Sequence, residues 1–197
     1  MRIEERVRQR TDQSKVITAT EFRTFLEFLD VFERQDSVLF KKFITAPAAS
    51  KHHGNYECGL VDHSLNVAVN LLEWRAAHKD CGLTIEDCVL AGMMHDICKA
   101  DTYWIDSEGK VKYDKDLYKH HALRSIDIIN RLGFKISRKL KVMILLHMSS
   151  WENDEDIDAL TLGDKIWLMN PRHVQLVQAM NWADMDAARR EENLAKK

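Results

Sequence analysis

Six ionisable side chains, His63, His95, Asp96, His121, His147 and Asp184, fall where helical patterning buries them. Taken singly, each is an ordinary core or boundary residue. Taken together, four imidazoles and two carboxylates form the mixed nitrogen and oxygen set that suits a divalent transition metal. Burying such groups is costly unless they are paired or metal-bound. The expected cofactor is therefore one or two divalent ions, drawn from Mn, Fe, Co, Ni and Zn.

Helical periodicity, at about 100° per residue, indicates how each side chain is delivered. After Leu60 the apolar face is Val61, Leu65, Ala68, Val69 and Leu72, with His63 at its margin. The segment from Ile85 to Cys98 is apolar almost all round and carries His95 and Asp96 at its end. Neighbours on a regular helix diverge by about 100°, so these two can share a metal only if it lies between them or the helix ends there. His121 shares a stripe with Ser125, Ile128 and Leu132, whereas His120 lies with Arg124, Asp127 and Arg131, which turns His121 inward. His147 closes the apolar run 142–146. Asp184 lies among Val177, Met180 and Ala188, and Asp186 falls beside Gln175 and Arg190 on the outer side. Five helices thus converge on one polar point, as in metal sites built between helices.

The rest of the chain suits an all-α frame. Only 7 glycines and 2 prolines occur in 197 residues, which favours long helices over sheet and turn. Helices are expected from Thr20, the plausible N-cap, and over 37–45, 60–79, 84–98, 118–132, 136–148, 159–169 and 172–193. One segment departs from this: 102–106 and 111–114 flank a turn at Gly109 and predict a small β-hairpin insertion near 102–114. Residues 1–19 read as a frayed or loosely docked helix or arm, and the acidic stretch 152–158 as a solvated loop. The expected organisation is an N-terminal helical extension, 1–49, packed on one core, 50–193.

Lys and Arg number 29 against 31 Asp and Glu, a net charge of -2, which argues against a protein that coats duplex nucleic acid. Cys58, Cys81, Cys88 and Cys98 lack zinc-finger spacing and read as reduced thiols. The first ten residues lack the apolar centre of a secretory signal, and no apolar run approaches the ~20 residues that span a bilayer. The expectation is a soluble, cytoplasmic protein without a membrane partner.

The order of a histidine, a His-Asp doublet and a distant aspartate resembles the HD phosphohydrolase superfamily, matched here by His63, His95–Asp96 and Asp184. Around them, GLVDHSLNVA (59–68) is similar to the family's Gly-Gly-Leu-x-x-His-Thr-x-x-Val-Ala, and AGMMHDICK (91–99) to Leu-x-His-Asp-Ile-Gly-Lys. The segment from 107 through His121 to His147 is similar to HD domains attached to tRNA nucleotidyltransferases. The resemblance spans roughly residues 50–190. Cys98 replaces the glycine of the doublet motif, which could alter the turn after Asp96. Cys58 replaces the first glycine of the paired glycines, a milder change.

The resemblance implies a single HD-domain helical bundle that cleaves phosphomonoester, phosphoanhydride or phosphodiester bonds with metal-activated water. His63, His95, Asp96 and Asp184 would hold a first ion. His121 and His147 would complete a second site, with Asp96 bridging. Asp96 and Lys99 are the expected catalytic residues, and Lys99, His52, His53 and Arg124 the expected substrate contacts. The expected partner is a small phosphorylated substrate, a nucleotide first and a short single-stranded nucleic acid second, because no basic stripe or stacking platform is visible. Two other readings share the ligand set: a di-iron HD-type oxygenase and a non-catalytic nucleotide-sensing module.

Overall fold

The computed structural model describes residues 3–14, 17–148 and 157–195. In chain order these form α1 (Ile3–Gln13), α2 (Ala19–Gln35), α3 (Ser37–Thr45), α4 (Gly59–Ala77), α5 (Ile85–Met94), α6 (Lys99–Thr102), β1 (Tyr103–Ile105), β2 (Val111–Tyr113), α7 (Lys115–Tyr118), α8 (His121–Arg131), α9 (Arg138–Leu145), α10 (Leu162–Leu168) and α11 (Pro171–Ala195). The fold is all-α with one antiparallel hairpin, as expected. Its register pairs Tyr103 with Tyr113 and Ile105 with Val111, and Gly109 turns the loop at φ 76°. Of the acidic stretch, residues 152–156 lie outside the described residues.

Local chemistry sets most helix starts. Thr18 with Glu21, Thr84 with Asp87 and Thr161 with Asp164 form reciprocal capping boxes at α2, α5 and α10. Thr18, not Thr20, is therefore the cap of α2. The expected helix 118–132 is divided: α7 ends at Tyr118, and His120 adopts the left-handed region (φ 56°) before α8 begins at His121. The expected helix 84–98 also stops early, at Met94. The chain then turns through Ile97 N–H to Met94 O and Lys99 N–H to Asp96 O, bonds spanning three residues rather than four.

At the centre lies α4, packed chiefly against α5 and α11, with α1 and α3 closing its remaining sides. Every residue from Gly59 to Leu72 is buried, including Ser64, Asn66 and Asn70. His63 is thus not at the margin of an apolar face but fully enclosed, because neighbours surround the helix. Helix α5 comes close at Gly92, where a Cβ would stand 2.3 Å from Ala68 Cα. The N-terminal segment is more firmly seated than its composition suggests. Val7 is fully buried, and Arg6 grips both oxygens of Asp62 at 2.7 and 2.8 Å. Among the described residues no helix is long and apolar enough to cross a membrane.

Candidate metal centre

The six side chains of the expected cluster come from five helices or their ends: His63 from α4, His95 and Asp96 from the turn after α5, His121 from the start of α8, His147 from the turn after α9, and Asp184 from α11. The end of α5 at Met94 lets His95 and Asp96 address the same space. His95 Nε2 lies 3.3 Å from Asp96 Oδ2 and 3.7 Å from Asp184 Oδ1. His63 Nε2 is 2.9 Å from Asp184 Oδ1. Asp96 Oδ1 faces His147 Nε2 at 3.8 Å and His121 Nε2 at 3.9 Å, and the two imidazole nitrogens are 3.4 Å apart. All but His121 are buried; His121 is partly open at the cleft.

Among the described residues two sets have donor atoms close enough to hold an ion, His63 with His95 and Asp184, and His95 with Asp96 and His147. The donor chemistry fits that role. His95 Nδ1 lies 2.9 Å from Gly92 O, and His147 Nδ1 lies 2.6 Å from Ile144 O. A carbonyl only accepts, so each Nδ1 carries its hydrogen, and a neutral ring then presents a bare lone pair at Nε2. Among the described residues neither His95 Nε2 nor Asp96 Oδ1, both buried, has a hydrogen-bond partner. Orphaned buried polar atoms of this kind call for a bound group, since leaving them unpaired is costly.

Electrostatics describe the same point without an ion. Burial alone would lower the pKa of His63 and His95, but neighbouring carboxylates outweigh it. Asp184 and Glu191 lift His63 to about 9, and Asp96 and Asp184 lift His95 to about 10. Conversely, burial would raise Asp96 and Asp184, yet Lys99 and His95 hold Asp96, and His63 and His95 hold Asp184, well below the usual carboxylate range. Burial pushes His121 down to about 3 and also lowers His147, keeping both neutral. Protons on His63 and His95 thus occupy the electrostatic place of a cation.

A cleft of about 710 Å³ opens beside this cluster, lined by Asp96, Lys99, His121 and Asp184 of the site and by His52, His53, Tyr113, Met148 and Met185. Lys99 Nζ lies 2.6 Å from Asp96 Oδ2. His53 packs its ring 4.8 Å from that of His63, and burial lowers its pKa to about 4. Arg124 is not brought to the cleft: its guanidinium donates to Leu117 O and, at 3.2 Å, to Thr102 Oγ1, tying α8 to the segment below the hairpin. His120 is exposed, and Asp186, at the edge of the α4 contact, pairs with Arg190 at 2.6 Å and accepts from Asn70 at 3.3 Å.

The glycine replacements fall out in reverse of the expected order. Cys98 sits at φ -61°, an ordinary helical value, and its Sγ donates to His121 O at 3.2 Å. Cys58 takes φ 69°, in the left-handed region, where a side chain is strained. The sequence reading also passed over Glu191. Its carboxylate is buried, accepts from Asn66 Nδ2 at 2.7 Å and lies 3.4 Å from His63 Nδ1. Glu191 is seven residues beyond Asp184, two helical turns along the same face, so the wheel that selected Asp184 could have selected it as well.

Comparison with curated proteins and with solved structures finds no match. A family model described as HD domain matches residues 60–186, the stretch that carries all six candidate ligands and well over half of the chain. This protein belongs to the HD domain family, a family of metal-dependent phosphohydrolase type whose members bind divalent metals.

Proposed function

We propose that this protein is a metal-dependent phosphohydrolase acting on a nucleotide. The observation that carries the reading is the pair of orphaned, buried polar atoms, His95 Nε2 and Asp96 Oδ1, beside a cleft that Asp96 itself lines. His63, His95 and Asp184 would hold one ion and Asp96 with His121 and His147 another, Asp96 standing between them. A bound divalent ion supplies Lewis acidity toward a phosphoryl oxygen and lowers the pKa of the water it carries. Lys99 brings positive charge to the cleft wall beside Asp96, where it can neutralise a phosphate oxygen. His52 and His53 border the entry and can donate hydrogen bonds to the same group. The cleft lies within the roughly 300–1,000 Å³ typical of small-molecule sites.

The panel that tests this contains nucleotides, cyclic nucleotides and short oligonucleotides, each with Mn²⁺, Co²⁺, Ni²⁺ or no added metal. Metal-dependent release of phosphate or nucleoside, abolished in Asp96→Ala, is the expected result. No release from folded, metal-loaded protein across the panel would overturn it.

Metal uptake has its own signature. An ion at 100 times its Kd adds about 2.7 kcal/mol to stability, which in a chain of this size raises Tm by roughly 5–10 °C, and a chelator should reverse the shift. The ion must displace protons from His63 and His95, whose pKa values are raised, so affinity should increase from pH 6 to pH 9. A pH-independent affinity would place the ion elsewhere.

The aromatic part of the cleft's lining suits the non-phosphate part of a nucleotide. Tyr113 is partly exposed there and is backed by Tyr103, with ring centroids 5.8 Å apart. A base stacked on an aromatic ring gains about 1–3 kcal/mol. Tyr113→Ala should accordingly raise KM roughly 5- to 100-fold with kcat little changed, and an unchanged KM would place the base on another wall.

A further inference from the structure

We infer that Glu191 is a positioning residue for His63, holding the hydrogen on Nδ1 so that Nε2 is left as a ligand. The inference rests on the metal-binding reading above and deepens it. The His63 ring is held between two carboxylates of the same helix: Asp184 faces Nε2 at 2.9 Å, and Glu191 faces Nδ1 at 3.4 Å. Among the described residues His63 Nδ1, which is buried, has no hydrogen-bond partner at closer range. The oxygen that faces it is Oε1, whose second lone pair can take the Nδ1 hydrogen beside the bond from Asn66. Asn66, one turn beyond His63 on α4, donates to Glu191 Oε1 at 2.7 Å and fixes the carboxylate. Asn70, a further turn on, donates to Ala183 O at 2.9 Å and locks the register of α4 against α11.

The logic is one of tautomers. A neutral imidazole carries one hydrogen. On Nε2 it would point at Asp184 and leave no lone pair for an ion. A buried negative charge beside Nδ1 draws the hydrogen to that nitrogen and makes Nε2 more basic, as carboxylate partners of ligating histidines do.

The test titrates Mn²⁺ into the metal-free full chain by calorimetry, with Glu191→Gln and Glu191→Ala beside the unaltered protein. Circular dichroism checks each fold. Glu191→Gln keeps the shape and an acceptor for Asn66 but removes the charge, so it serves if the alanine variant does not fold. The expected loss of Mn²⁺ affinity is roughly 10- to 100-fold for Glu191→Ala, with a smaller loss for Glu191→Gln. In a His63→Ala background, Glu191→Ala should change the remaining affinity by less than about twofold. Unchanged affinity in Glu191→Gln and Glu191→Ala would overturn the role. So would an equal loss with and without His63, which would mark Glu191 as a support of helix packing. An unaltered protein that takes up no Mn²⁺ would sink the metal reading itself, a result distinct from either.

Discussion

Replacing Asp96 with asparagine should lower kcat by at least about 10³-fold while leaving the helices in place. The expectation follows from where the carboxylate stands. Oδ2 reaches Lys99 Nζ and His95, whereas Oδ1 faces His121 and His147. Among the described residues it is the one carboxylate that addresses both halves of the cluster. A metal's stabilisation of transition-state charge is worth several kcal/mol, and about 4 kcal/mol is about 10³ in rate. Asparagine keeps the volume but not the charge that draws an ion. The fold should survive because His95 can adjust. Asp96 is the foremost of the groups raising its pKa, so without that charge the imidazolium gives up its proton instead of remaining buried and uncompensated. Steady-state kinetics with Mn²⁺, together with metal content per chain, measures both parts. Activity within tenfold of the unaltered protein would remove Asp96 from the chemistry.

A second substitution should act on stability and reach the site only through it. At Gly92 a Cβ would meet Ala68 Cα at 2.3 Å and Ala68 N at 2.4 Å. These are backbone atoms of the buried central helix, so no side-chain rotation can relieve the clash. Gly92→Val should therefore cost roughly 4 kcal/mol or more, beyond the ~1–3 kcal/mol of ordinary overpacking. In a chain of this length that lowers Tm by roughly 8–16 °C. Gly92→Ala should follow the same direction with a smaller loss. His63 lies five residues before Ala68 and His95 three after Gly92, so prising α4 from α5 also separates two ligands of the first set. Weakened Mn²⁺ binding should accompany the lower Tm. Thermal melts of both variants, with and without Mn²⁺, check the pair of effects. A Gly92→Val protein that melts with the unaltered chain would show that the two helices are spaced by other contacts.

How much of this could be read in advance varies with the range of the interaction. Patterns carried by contiguous residues were legible: the helices, the hairpin about Gly109, the inward turn of His121 over His120, and Asp184 over Asp186. Each depends on local periodicity and local turn chemistry, which belong to the chain itself. Whether His95 and Asp96 could share a site turned on where α5 ends, and the sequence stated that condition without resolving it. The change to three-residue turns after Met94 met it. Enclosure was not legible. A helix wheel assumes one wet face, but α4 has neighbours on every side, so His63 is buried where the pattern suggested a margin. Arg124 was expected at the substrate and instead ties Leu117 and Thr102, a choice made by the break at His120. Glu191 lay on the wheel beside Asp184 and was passed over. Its meaning depends on His63, 128 positions earlier in the numbering. Sequence alone determined which residue types face inward on each helix. Only the tertiary structure decided which inward faces meet, because that is set by the packing of α4, α5 and α11 against one another and by no single segment of the chain.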